Sequence, residues 1–269
     1  MYESSMPTET KSLLLNIKYS KASFQWGVAS DRGKERAENE DAYHIEAEIG
    51  FFLVSDGMGG HQGGALASKI IVEDLPVKIE MGLVCGKSKQ PRAIRSLLRK
   101  AVTEQSRQLR MEGTSEAGYK GMGATIVLAL LMEDRAYIAN LGDSRAYRYR
   151  KGRFIQLSKD HSVISELVQK GVVEPGQADD HENQGQITHY AGMDEKAKAY
   201  LRSFRLQEDD RLLLCTDGIT DMMEDKKISQ ILSKAPDPQK ACAKLISAAN
   251  DAGGQDNITV IIIDWRRKP

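Results

Sequence analysis

Apolar runs recur along the chain where alternation is absent. Phe51–Val54, Ile126–Leu131, Leu212–Cys215 and Ile258–Ile263 are almost continuously apolar. An antiparallel strand with one wet face alternates apolar and polar residues, so strands of this kind are covered on both sides. Around them the pattern predicts further strands at Phe24–Ser30, Asp41–Ala47, Tyr200–Leu206 and Arg211–Thr216. In the middle of the chain, strands expected at Gly123–Leu131, Arg135–Asn140, Ser144–Arg150 and Phe154–Leu157 are separated by turns as short as Glu133–Asp134, Gly142–Asp143 and Lys151–Gly152. Connections that short join only antiparallel neighbours, and a parallel sheet would need helix-length crossovers that are missing here.

Helical spacing appears at Ala65–Gly82, where Pro76 is expected to kink or interrupt the helix, and at Pro91–Met111, with proline in the first turn. It returns at Val163–Gly171, Asp225–Lys234 and Pro238–Ala252, before a closing strand over Asn257–Asp264. Glu174–Gln186 is polar and aperiodic and reads as a surface loop. Doubly covered antiparallel strands combined with these helices predict an α+β protein, an αββα sandwich of two antiparallel β-sheets flanked by helices.

Composition narrows the function. The 269 residues carry 38 basic and 38 acidic side chains, without the basic excess of a nucleic-acid reader. The longest apolar stretch, Thr125–Met132, is far below the ~20 residues of a membrane span. Residues 1–20 lack the basic start and long apolar core of a secretory signal. The expectation is a cytoplasmic monomer that binds neither nucleic acid nor membrane, with an N-terminal tail over 1–22 and one domain over 23–269. Three widely spaced cysteines suggest neither a disulfide framework nor a zinc site; two sit in apolar runs and read as small buried hydrophobes.

The candidate chemistry lies at the strand ends. Asp56 follows Phe51–Ser55, Asp217 follows Arg211–Thr216, Asp143 follows Tyr137–Leu141, Asp256 precedes the last strand, and Glu40 and Asp41 open the second. Singly, each is an ordinary turn signal. Together, carboxylates at strand ends can meet on one edge of a sandwich, where they repel one another and need counter-charge. Lysine and arginine are missing beside most of them, which makes a metal the economical partner. An all-oxygen set selects Mg²⁺ or Mn²⁺ over zinc, and Gly57 lets a backbone carbonyl approach an ion. Two such ions about 3.5–4 Å apart can activate water for hydrolysis without a side-chain nucleophile. Arg36, four residues before Glu40, offers a guanidinium for phosphate oxygens.

The motifs Arg36-Ala37-Glu38-Asn39-Glu40-Asp41, Asp56-Gly57-Met58-Gly59-Gly60, Gly123-Ala124-Thr125, Gly142-Asp143-Ser144-Arg145, Thr216-Asp217-Gly218-Ile219-Thr220-Asp221 and Gly254-Gln255-Asp256-Asn257-Ile258-Thr259-Val260 occur in one order. The series resembles that of the PPM family, the type 2C metal-dependent serine/threonine protein phosphatases, in its bacterial branch, over about residues 23–264. The resemblance implies the αββα fold and hydrolysis of phosphoserine and phosphothreonine in proteins by a metal-activated water, without a phosphoenzyme. It implies that Asp56 bridges two ions with the Gly57 carbonyl as a ligand, and that Asp217 and Asp256 serve one ion while Glu40 and Asp41 serve the other. Asp143 and Asp221 match a third-metal site, Arg36 grips the phosphate, and residues 160–200 correspond to a flap. Substrates would be phosphoproteins made by a serine/threonine kinase.

Two positions depart from the family pattern. Met58 stands where some members carry a histidine proposed to protonate the leaving oxygen, a task a thioether cannot perform, and His61 is a weak substitute. His189 stands where many bacterial relatives have arginine, which alters expected flap contacts; His161 is read as structural. Of the rival classes, a cysteine phosphatase needs arginine six residues after its thiol, and no cysteine here has one. Gly82–Ser88 is one residue short of a phosphate loop and follows a helix where that motif needs a strand. The remaining rival is a catalytically inactive binding module of the same fold, which absence of turnover in metal-loaded protein would reveal.

Overall fold

The structure, a computed structural model, describes residues 22–59, 63–86, 88–115, 119–174, 185–193 and 196–267. His61, nearly all of the N-terminal tail and most of the 174–186 loop lie outside the described residues.

The strands are β1 (Ala22–Asp31), β2 (Ala42–Glu46), β3 (Phe51–Ser55), β4 (Gly57–Met58), β5 (Gly123–Ala124), β6 (Ile126–Met132), β7 (Arg135–Leu141), β8 (Arg145–Arg150), β9 (Arg153–Gln156), β10 (Tyr200–Arg205), β11 (Asp210–Cys215) and β12 (Ile258–Arg267). The helices are α1 (Gly63–Cys85), α2 (Pro91–Ser115), α3 (Val163–Gln169), α4 (Asp217–Thr220), α5 (Asp225–Lys234) and α6 (Pro238–Asp251). One five-stranded antiparallel sheet has the order β1-β12-β11-β8-β9, and the second has β10-β7-β6-β3-β2. The expected αββα sandwich is therefore present.

Alternate residues of each apolar run enter different cores. Phe51 and Leu53 pack toward α1 with Ile71 and Leu75, while Phe52 and Val54 face the other sheet and meet Leu212, Leu214 and Ile261. On the far side, Leu213, Cys215, Val260 and Ile262 pack against Leu245 of α6 and Ile228 of α5. Three apolar layers between four structural layers leave the central strands no wet face, which is why alternation vanishes from their sequence.

Three sequence expectations change. Helix α1 continues uninterrupted through Pro76. Pro76 forgoes one backbone bond, a cost of about 3 kcal/mol, but Val72, Leu75 and Ile79 around it are buried, each worth roughly 1.5–3 kcal/mol. The strand expected over Gly123–Leu131 is split at Thr125: β5 leaves the main sheet to pair with β4, Gly57 opposite Ala124 and Met58 opposite Gly123. Helix α2 continues to Ser115.

Antiparallel register gathers the strand-end acids. The start of β2 lies beside the end of β3, with Ala42 opposite Ser55. The end of β11 lies beside the start of β12, with Cys215 opposite Val260. The end of β7 lies beside the start of β6, with Leu141 opposite Ile126. Asp41, Asp56, Asp143, Asp217 and Asp256 are thereby delivered to one edge of the sandwich, from both sheets. Among the described residues, no helix is long and apolar enough to cross a membrane.

Candidate active site

Asp56 is held by its backbone. Its N–H donates to Thr125 Oγ1 at 2.9 Å, the Thr125 N–H donates to its carbonyl at 2.8 Å, and Ser55 Oγ donates to the Thr125 carbonyl at 2.7 Å. Thr125 is buried and also bonds Ser144 Oγ at 2.6 Å, next to Asp143. The split between β5 and β6 thus places a threonine that fixes the main chain of one acid and touches the neighbour of another.

Glycines open the space beside Asp56. A Cβ on Gly57 would collide with the Gly64 carbonyl, and a Cβ on Gly64 would lie 2.8 Å from both Glu40 Oε1 and the Gly57 carbonyl oxygen. Two bare backbones therefore meet under the Glu40 carboxylate, leaving a cradle of oxygen atoms that any side chain would fill.

The segment between β1 and β2 carries Arg36, Glu40 and Asp41. Asn257, 3% exposed, pins both halves of it: Oδ1 accepts from Glu40 N at 2.8 Å, and Nδ2 donates to the carbonyls of Arg32 at 2.8 Å and Glu38 at 2.9 Å. The Asn257 N–H donates to Asp256 Oδ1 at 2.7 Å. Thr216 Oγ1 donates to Asp41 Oδ2 at 2.9 Å and accepts from Thr259 N at 3.0 Å, tying Asp41 to β12. Asp217 begins α4, and its carbonyl accepts from the Asp221 N–H at 2.8 Å.

Glu40, Asp56, Asp217, Asp221 and Asp256 line a cleft of 880 Å³, with Arg36 on its rim. Asp41 and Asp143 pack behind it. Asp56 and Asp217 keep one edge toward the cleft, so as residues they are half-buried, yet protein crowds their carboxyl groups enough that desolvation dominates their acidity. Burial, followed by repulsion from neighbouring aspartates, drives both well above the usual carboxylate range. Burial likewise pushes Asp41 to about 7 against the bond from Thr216, and Asp143 to about 7 with Asp160 and Asp221 adding repulsion. Oδ1 of Asp41, Asp143 and Asp217 is buried without a hydrogen-bond partner among the described residues.

The arrangement concentrates negative charge and unused oxygen lone pairs at one place. Among the described residues, no three His, Cys, Asp or Glu side chains converge closely enough to hold a metal ion as they stand. What calls for a cation is the charge itself: desolvated, mutually repelling acids with orphaned oxygens are costly unless a cation or proton compensates them. Hard oxygen donors fit Mg²⁺ or Mn²⁺.

One expectation needs correction. Asp256 has a cationic partner: Arg36 Nη2 lies 2.6 Å from its Oδ2, with half of the arginine side chain exposed. The spacing of 220 residues hid this pair from sequence reading. The rings of His161 and His189 meet at a tilt of 50°, 5.3 Å between centroids, but are not among the residues lining the cleft. His161 Nδ1 accepts from Gly142 N at 3.2 Å, a structural link beside Asp143. Asn257 and Thr125, present in the motifs, were read only as motif letters, and Tyr190 on the cleft wall was missed.

Comparison with known proteins agrees with this geometry. The family model described as protein phosphatase 2C matches residues 31–245. The serine/threonine phosphatase stp of Listeria welshimeri is 32% identical over 240 residues, covering 87% of this chain and 93% of that protein. The structure of the S. agalactiae serine/threonine phosphatase superposes with a TM-score of 0.82 at 30% identity, covering 90% of this chain and 99% of that one. The catalytic domain of the serine threonine protein phosphatase PstP, solved in complex with 2 manganese ions, superposes with a TM-score of 0.75 at 28% identity, covering 91% of this chain and 99% of that one.

Proposed function

The chain belongs to the protein phosphatase 2C family and is a serine/threonine protein phosphatase, and from that premise we propose that its strand-end acids hold divalent cations for hydrolysis of phosphoserine and phosphothreonine. The observation carrying this reading is the set of desolvated aspartates with orphaned oxygens around one cleft. In this reading Asp56 and the Gly57 carbonyl are shared by two groups of acids, Glu40 with Asp41 and Asp217 with Asp256. Each group would hold one Mn²⁺ or Mg²⁺ ion, with Asp56 shared. Asp143 and Asp221, coupled through their repulsion, would hold a third. The PstP domain with its 2 manganese ions supports the choice of metal.

When bound, such a pair of ions lowers the pKa of water and offsets charge gathering on phosphorus. The protein's own residues do the rest. Arg36 presents exposed guanidinium N–H groups to the phosphate oxygens while Asp256 fixes its orientation. Asn257 holds the Arg36 segment and Glu40 at a constant distance from Asp256. Met58 lines the cleft but cannot give a proton to the departing serine or threonine oxygen, so that proton comes from solvent in the cleft. The P–O ester bond breaks, water supplies the new P–O bond, and inorganic phosphate and the free hydroxyl leave.

We further place the enzyme as a cytoplasmic monomer opposing a serine/threonine kinase; three unpaired cysteines support a reducing compartment. The test is phosphopeptide hydrolysis across an Mn²⁺ titration. Wild type is expected to release phosphate in a metal-dependent way, and Asp56→Asn to be inactive at every concentration. Activity restored to Asp56→Asn by high Mn²⁺ refutes the shared-ligand role, and absence of turnover in metal-loaded wild type refutes catalysis by this chain.

A further inference from the structure

The cleft is far larger than a phosphate group, and one of its walls is apolar. Met58, Ile187 and Tyr190 line it, as do Glu35 and Arg36. The Tyr190 ring is seated on bare backbone: a Cβ on Gly123 would come within 2.5 Å of ring carbon Cδ2. Gly123 pairs with Met58, one residue beyond Gly57, so the ring rests on the strand that pairs with the Gly57–Met58 segment.

This wall is fixed rather than hinged. Ala191 exchanges two backbone bonds with Ala124, at 2.8 and 3.1 Å. Gly192 N donates to Ser106 Oγ of α2 at 3.2 Å. On the other side of Tyr190, Thr188 N donates to the His161 carbonyl at 2.7 Å, and Ile187 bridges Ser162. Attachments on both sides of a single aromatic residue hold its ring ready to receive a group, with little ordering cost left for binding.

We propose that Tyr190, with Ile187 and Met58, forms a specificity subsite that favours substrates bearing a large apolar side chain next to the phosphorylated serine or threonine. The proposal rests on the phosphatase reading above. A phosphate held near Arg36 and the acids leaves the adjoining peptide residue over the Tyr190–Met58 wall, where an aliphatic side chain is covered and a glycine is not. Contact of one leucine with a ring face covers roughly 50 Å² of apolar surface, equivalent to about tenfold in kcat/KM.

The experiment compares two phosphothreonine peptides, identical except for leucine or glycine on both sides of the phosphothreonine, in saturating Mn²⁺. Wild type is expected to favour the leucine peptide by about tenfold in kcat/KM. Tyr190→Ala is expected to bring that ratio close to one, and Tyr190→Phe to keep it. A wild-type ratio near one overturns the subsite, whether or not the variants fold, and so does a Tyr190→Ala ratio equal to that of wild type. Loss of the ratio in Tyr190→Phe overturns the apolar reading in favour of the hydroxyl. If wild type hydrolyses neither peptide, the phosphatase reading itself fails, and the subsite with it.

Discussion

Asn257→Ala removes one side chain and releases the whole segment that carries Arg36 and Glu40. Three hydrogen bonds disappear, to Glu40 N, the Arg32 carbonyl and the Glu38 carbonyl. The two carbonyls belong to an exposed segment and regain water, so each bond costs about 1 kcal/mol. The Glu40 N–H is less accessible, and leaving it unpaired costs about 1–2 kcal/mol. The sum is a loss of roughly 3–4 kcal/mol, or a fall in Tm of about 6–16 °C for a domain of this size. Urea denaturation measures the first quantity, with an unchanged m-value as the sign that the fold is intact. Because the freed segment holds the phosphate-gripping arginine, KM for a phosphopeptide is expected to rise at least about tenfold, an amount equal to one lost charged contact. Asn257→Asp retains an acceptor for Glu40 N but turns a carboxylate toward two carbonyl oxygens, and is expected to be no better than alanine. An alanine variant within about 0.5 kcal/mol of wild type, with KM unchanged, would refute the pinning role.

Two further predictions concern the scaffold. Arg211 makes a paired contact with Asp264 at 2.6 and 2.7 Å and donates to the Leu232 and Ala235 carbonyls, with both charged side chains largely buried. Arg211→Met is expected to destabilise by about 3–5 kcal/mol by stranding Asp264, and the double change Arg211→Met/Asp264→Leu to recover most of it in urea melts; an equally unstable double variant would contradict this. Burial, aided by the His189 ring, lowers His161 to about 4. The unfolded chain protonates this histidine near its ordinary value of 6.5, so its contribution is whole above that pH and is lost as pH falls toward 4. Wild type is therefore expected to lose more Tm between pH 7 and 5 than His161→Asn, whose side-chain oxygen can still accept from Gly142 N; equal slopes would refute the assignment.

The layers were legible in the sequence because three apolar cores erase alternation, as in Phe51–Val54 and Leu212–Cys215. The strand-end acids were legible for the same reason, since antiparallel register fixes which ends share an edge. The break at Thr125 was not, because β5 and β6 read as one apolar run until Gly57 is known to pair with Ala124. Pro76 misled because its cost is local and visible, whereas the burial that offsets it is tertiary. Arg36 with Asp256, and Asn257 with Arg32, lie more than 200 residues apart in sequence, and no local signal reports such partners. Tyr190 carries no pattern of its own; only the missing side chain of Gly123 reveals where its ring rests.

The acids are divided between the sheets. Asp41 and Asp56 adjoin the one holding β3, Asp217 and Asp256 the one holding β11 and β12, and Asp143 rides the link between them. The separation of the two halves is therefore a thickness, set by the girth of Phe52, Val54, Leu214 and Ile261 in the middle layer. A swollen or shrunken side chain there acts as a shim under the jaws of a vice, resetting the gap between acids that the chain never brings together locally. A volume change in this layer is therefore expected to alter turnover as well as stability, whereas one beneath the outer helices alters stability first.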